Sequence, residues 1–157
     1  MKSVTGPATV DAASSIALKM WVVLARAYAA VSRQVEVDIA RHDLTAMEFG
    51  ILEVLHHKGP LLLGEIQRKV LVTSGGITYL VDRLVEKGLV KREECPKDRR
   101  ARYAVLTPAG DALIRRIFPE HASMLARALS GLTTKEHETA TKLLKRLGLA
   151  AAALQGQ

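Results

Sequence analysis

Positive charge and hydrogen-bonding side chains crowd into one stretch of this chain, Thr73 to Arg102. Lys97, Arg99 and Arg100 stand almost side by side, and Lys91, Arg92 and Arg102 extend the same charge. Cations gathered this way attract phosphate, and a guanidinium can also enter a narrow minor groove. Just upstream, Thr73, Ser74, Gly75, Gly76, Thr78, Tyr79 and Arg83 place small or hydrogen-bonding groups at the start and along one side of a predicted helix. Thr78, Tyr79 and Arg83 could meet bases or phosphate. Two glycines at a helix start cost helix propensity, and a close backbone approach to phosphate, amides first, is a reason to accept that cost. Asp82 would repel phosphate and is assigned to orienting a neighbouring arginine. One of Arg99 and Arg100, with Arg100 favoured, is expected to enter a minor groove while Asp98 braces the other. The plainer reading makes both groups solvated surface. The basic segment following the polar helix face at this distance favours nucleic acid.

Other reactive side chains carry less. Cys95 adjoins the basic segment, so its oxidation could perturb binding there; Lys97 and Arg99 would lower its pKa, Glu93 and Glu94 would raise it, and the chain has no second cysteine to resolve a sulfenate. An incidental strand cysteine is the better reading. His42, His56, His57, His121 and His137 lack metal-ligand spacing, so no metal is expected. Trp21, Tyr28 and His56 are candidate lining for a small-molecule pocket between the first long helix, the second helix and the helix after the basic segment, with core packing the alternative for the two aromatics. No nucleophile elbow, Walker loop or dinucleotide fingerprint is present, which argues against an enzyme, and no cofactor is implied.

The elements that must position these groups are mostly helices. Ile77, Leu80, Val81, Leu84 and Val85 form an apolar stripe behind the polar face, and Gly88 ends that helix. Two β-prone runs, Leu89–Val90 and Tyr103–Leu106, flank the basic residues, which are expected in the loop between them. Thr45 and Glu48 make a capping box for a helix carrying Phe49, Leu52 and Leu55 inward and ending at Lys58-Gly59-Pro60. A short helix from about Leu63 to Val70, a tight turn and the helix after Thr73 give helix-turn-helix spacing. Leu71 and Val72 occupy that turn where glycine is common. A long helical pattern runs from Asp11 to Arg41, and its length suggests packing against a second copy of the chain. Thr107-Pro108 opens another helix, which Pro119 should kink or interrupt. Thr133 and Glu136 cap a final helix, weakened near Gly148. The expected fold is mainly α with a small β-wing: residues 1–10 as a tail and 11–157 as one domain, with 11–44 and 108–157 as dimerisation helices and 45–107 as a winged helix-turn-helix lobe.

Composition fits. The 157 residues are 48 % hydrophobic, and 23 Lys+Arg against 16 Asp+Glu give +7, which favours an anionic partner. One cysteine permits no internal disulfide; no apolar run is read as long enough to span a bilayer and no secretory signal is read, so a cytoplasmic protein with no membrane partner is expected.

Three motifs make the chain resemble the MarR family of bacterial winged-helix regulators: Val81-Asp82-Arg83-Leu84 with Lys87-Gly88-Leu89-Val90, the segment Pro96 to Arg100, and Leu106-Thr107-Pro108-Ala109-Gly110. The resemblance spans about residues 12 to 150. It implies a homodimer with interlocked terminal helices, a recognition helix in the major groove of a palindromic operator in double-stranded DNA, a wing arginine in the minor groove, and release of DNA by small aromatic or phenolic compounds. Glu48-Phe49, His56 to Pro60, Thr73 to Leu84 and Arg116 to Ala122 further resemble a branch that responds to catechols and quinones. A sequence-specific repressor is therefore expected. An architectural DNA-binding protein of the same fold, a regulator sensing oxidants through Cys95 and a helical small-molecule binder remain the alternatives.

Overall fold

The computed structural model describes residues 11–70, 74–96 and 98–154. The tail expected at 1–10, the turn residues Leu71 and Val72, the expected cap Thr73 and the wing residue Lys97 lie outside them. Six helices and three short strands follow in the order α1 (Ala12–Ala40), α2 (Ala46–Lys58), β1 (Leu61–Leu62), α3 (Leu63–Val70), α4 (Ser74–Glu86), β2 (Val90–Cys95), β3 (Asp98–Leu106), α5 (Pro108–Ala128) and α6 (Thr134–Ala153) among the described residues.

Local chemistry sets the ends of these helices. Asp11 caps α1, accepting from the Ser14 amide at 2.9 Å. Thr45 and Glu48 form a complete capping box at α2, as do Thr133 and Glu136 at α6. Thr107 caps α5 with Pro108 in its first turn. Gly59 and Gly88 stop α2 and α4 at φ of 74° and 70°, a region that penalises any residue with a Cβ. The Thr107 hydroxyl also donates to the Gly88 carbonyl at 2.6 Å, which ties the end of α4 to the start of α5. There, a Cβ on Gly110 would fall 2.0 Å from the Leu89 carbonyl oxygen, so only glycine admits this approach.

The core lies between α2, the inner faces of α3 and α4, the sheet and the first half of α5. Phe49, Leu52 and Leu55 of α2, Ile66 of α3, Ile77, Val81 and Leu84 of α4, Val90 and Ala104 of the sheet, and Ile114 and Ile117 of α5 are buried together. Each fully buried aliphatic side chain contributes about 1.5–3 kcal/mol of transfer free energy. The apolar stripe of α4 is narrower than its periodicity suggests: Leu80 is half-buried and Val85 is exposed.

Several expectations change. The strands extend beyond their β-prone runs, so Arg99 and Arg100 belong to β3 rather than to a loop. Leu61 and Leu62 pair with Ala104 and Tyr103, adding a third strand in the order β1-β3-β2. Two residues carry no readable period, and the pairing is fixed by β3 rather than by their own pattern. α5 runs unbroken through Pro119, because the buried Ile117, His121 and Met124 hold both sides of an exposed proline. α6 continues past Gly148, where the helix formers Leu147 and Leu149 to Ala153 outweigh a glycine cost of about 1 kcal/mol.

α1 packs against α5, but most of α1 and all of α6 stand out from the core. α6 has no buried residue, and α1 exposes Ile16, Met20, Trp21, Val23 and Tyr28. The expectation that no apolar run is long enough for a bilayer is corrected. By length and composition α1 qualifies, with an 18-residue window of mean hydropathy at least 1.2 and at most two charged residues. Charged residues interrupt the run, but too few fall within that window to bring its average down below the apolar range.

Candidate nucleic-acid interface

α4 turns Ile77, Val81 and Leu84 into the core, and that rotation turns Thr78 and Tyr79 outward. Tyr79 is 60 % exposed, an uncommon fraction for an aromatic ring. Gly76 is half-buried in the same first turn. Ser74 and Gly75 both belong to the helix, and the Ser74 side chain lies outside what the structure describes.

Arg83 faces a different partner from the one its sequence position suggests. Its Nε donates at 2.9 Å to Oε1 of Glu48, a carboxylate with no exposed surface at all. The other Glu48 oxygen accepts from the Thr45 amide at 2.8 Å and from Lys87 Nζ at 3.1 Å. Lys87 reaches on to the Asp43 carbonyl at 2.5 Å, holding the turn between α1 and α2, where Asp43 adopts φ of 56°. Burial pushes the Glu48 carboxyl up, but the Thr45 amide, Arg83 and Lys87 outweigh it and hold it below its ordinary value. Arg83 is pushed up in turn, first by its bond to Glu48 and then by Tyr79. Arg83 Nη1 lies 3.5 Å from the Tyr79 hydroxyl and its Cζ 5.9 Å from the ring centre.

Local sequence shows only the capping-box role of Glu48, not its bonds to Arg83 and Lys87. A signal was present. Glu48, Leu52 and Leu55 fall on one helix face, and a carboxylate on an inward face needs cations, which Arg83 and Lys87 supply one turn apart.

Asp82 orients an arginine, and that arginine is Arg92 of β2, whose Nη1 lies 2.6 Å from Asp82 Oδ1. This pair joins the exposed side of α4 to the hairpin. Thr78, Arg92, Ala101 and Arg102 line one cleft of about 430 Å³ with Leu62 to Gly64, so the polar helix face and the hairpin stem open onto the same space. In the stem, Lys91 pairs with Glu93 at 2.7 Å and Arg102 with Glu94 at 3.2 Å. The patch is thus less positive than a count of its cations.

The hairpin register breaks where the arginines sit. Glu94 pairs with Arg102, but the next residue, Cys95, pairs with Asp98. Residues 99–101 therefore have no opposite number on β2, and the backbone bulges there. The side chains of Arg99 and Arg100 lie outside the described residues.

Cys95 is 7 % exposed and hydrogen-bonds the Tyr103 phenol, a contact that raises the Tyr103 pKa. A shielded thiol is a poor oxidant target.

The three candidate lining residues do not meet in one pocket, contrary to expectation. Tyr28 borders a groove of about 480 Å³ between α1 and α2, with Val31, Val35 and Met47. Trp21 borders a separate cleft of about 180 Å³ with Met20, Leu24 and Leu147. His56 turns to Asp111 at the start of α5, Nδ1 to Oδ1 3.1 Å, and packs edge-on against His57. Spacing along helices could not show which faces α1 leaves open.

The profile of the MarR family matches residues 42–101, which run from the α1–α2 turn into the hairpin bulge. The chain is 42 % identical over 132 residues to the HTH-type transcriptional regulator MhqR of Bacillus subtilis, covering 84 % of this chain and 91 % of that one. Its structure is similar to AbsC, a MarR family transcriptional regulator from Streptomyces coelicolor, with a TM-score of 0.80 and 25 % identity over 96 % of this chain and all of that one. It also shares its fold with a mutant MarR from E. coli complexed with operator DNA, at a TM-score of 0.78 and 24 % identity, covering 88 % and 99 % of the two chains.

Proposed function

The chain belongs to the MarR family of DNA-binding transcriptional regulators, and on that premise we propose that it is a cytoplasmic homodimeric repressor that reads a palindromic operator and is released by a small aromatic or phenolic effector. The observation that carries the reading is the shared cleft: the outward face of α4, with Thr78 and Tyr79, and the hairpin stem, with Arg92 and Arg102, open onto one side of the molecule. α4 has the size and exposure to enter a major groove, and the register break at residues 99–101 supports a basic segment that would serve the adjacent minor groove. In this reading Thr73, Ser74, Gly75, Gly76, Thr78 and Tyr79 meet the major groove, and Lys97, Arg99 and Arg100 the minor groove and its phosphates.

The exposed apolar faces of α1 and α6 support the dimer. Ile16, Trp21 and Val23 on one and Leu143, Leu147 and Leu154 on the other make a surface too large and apolar for a solvated monomer. Covering it with a second copy also accounts for a helix of bilayer length in a DNA-binding protein. Two copies then hold two α4 helices at a fixed spacing, and an effector that favours a different spacing releases DNA; a coupling of about 1–3 kcal/mol suffices. The α1–α2 groove beside Tyr28 is the space we assign to the effector. The likeness to MhqR is consistent with the catechol- and quinone-responsive branch. The burial of Cys95 disfavours the oxidant-sensing alternative.

Gel shifts on the DNA upstream of the chain's own gene and on random DNA, at two salt concentrations, test the reading. Tight binding to a discrete upstream site, lost on adding phenols, quinones or salicylate-like acids in both the wild type and Cys95→Ser, is the expected result. Equal affinity for every sequence would favour the architectural alternative, and no binding at low salt would overturn DNA recognition altogether.

A further inference from the structure

Glu48 touches no surface, yet it holds the side chain on which an exposed residue of α4 rests. Its Oε1 fixes Arg83 Nε at 2.9 Å, and Arg83 in turn presents Nη1 to the Tyr79 hydroxyl at 3.5 Å and its guanidinium to the Tyr79 ring at 5.9 Å. Lys87, just past the end of α4, is held by the other oxygen at 3.1 Å. From these contacts we infer that Glu48 is a specificity-determining positioning residue: it withholds Arg83 from the DNA backbone and uses it to fix the Tyr79 ring for base readout.

The physical argument has two parts. A carboxylate with no solvent contact keeps its charge only with cations and amide donors around it, and two of its three partners come from α4 and the residue just past its end. The roll of α4 about its axis and the rotamer of Arg83 are both set from α2. A free arginine on a DNA-facing helix would pair with phosphate, which adds affinity without sequence information. Tied to Glu48, the same arginine instead restricts a phenol ring that has only two side-chain torsions to fix.

This inference rests on the DNA-binding reading above, and its test separates the two. A duplex selected by the wild-type protein from a random library, and a scrambled duplex of the same composition, serve as probes in fluorescence anisotropy across a salt series. Wild-type protein that prefers neither duplex sinks the DNA reading and this inference with it. Given a wild-type preference, Glu48→Gln should lower the ratio of specific to scrambled affinity by about tenfold. It should also raise affinity for the scrambled duplex and steepen its salt dependence by about one phosphate contact, as Arg83 is released. General damage to the fold would weaken both probes together, and so would not imitate this pattern. Should Glu48→Gln unfold, Arg83→Lys decides: it keeps a cation for Glu48 but loses the planar platform, and the ratio should again fall. An unchanged ratio in the folded variant overturns the inference.

Discussion

His121 Nδ1 lies 3.0 Å from Asp38 Oδ2, with the two residues only 6 % and 5 % exposed. The pair joins the last turns of α1 to the middle of α5. Arg41 also bonds the Asp38 carboxylate, and the Phe49 ring lies 4.6 Å from the imidazole. Three helices thus meet on one buried ionisable pair, at the point where α1 leaves the core and becomes exposed.

Asp38→Ala leaves His121 without its acceptor in a site closed to water, while the exposed Arg41 can turn to solvent. Removing one partner of a buried pair costs about 3 kcal/mol or more, which in a chain of this size lowers Tm by about 10 °C. Thermal melts at fixed protein concentration measure it, and a drop of only a degree or two would show that the pair adds little.

Acid should act through the same residue and through Glu48. Burial pushes the Asp38 carboxyl up, but His121 and Arg41 outweigh it and hold it below its ordinary value, as the partners of Glu48 do there. Each folded-state pKa is depressed, so the unfolded chain binds these protons more readily. Their stabilisation is fully present above the ordinary carboxylate range of about pH 4 and is lost as pH falls through the lower folded values. Tm should fall below about pH 4, and the acid limb should be shallower in Asp38→Asn. An identical limb in that variant would clear Asp38 of any part in it.

The capped helices and the inward faces of α2 and α4 were legible because caps and periodicity are local. Thr45, Thr107 and Thr133 announce themselves within three or four residues. What was not legible depends on contacts between distant positions. The bond from Arg83 to Glu48 spans 35 residues and the one from His121 to Asp38 spans 83. β1 exists only because β3 passes beside Leu61 and Leu62. The candidate interface was thus readable as a set of residue types, whereas the role of Arg83 within it depended on what stood behind the helix.

Trp21 is the sole tryptophan and is 65 % exposed in one chain, bordering the α1 cleft that includes Leu147 of α6. In the proposed dimer this surface is covered. Its fluorescence should therefore be blue-shifted at micromolar concentration and move to the red on dilution, and Leu147→Glu should produce the red-shifted state and a monomer in sedimentation. A fully solvated Trp21 spectrum in a sedimenting dimer would place the interface elsewhere.

The wing supplies the last test. Register leaves residues 99–101 unmatched on β2, so two arginines ride on a backbone displaced from the ladder, while Lys91 and Arg102 in the stem are each matched by a glutamate. In the proposed reading the bulge is where the hairpin delivers its charge to DNA. Arg100→Ala should weaken operator binding by about tenfold and leave the dimer intact, with a smaller loss for Arg99→Ala. If Arg100 enters the minor groove, the loss should be greatest on sites whose flanks are A·T-rich, where the groove is narrow and its potential most negative. A loss equal on every flank assigns Arg100 to phosphate instead, and unchanged affinity removes it from recognition.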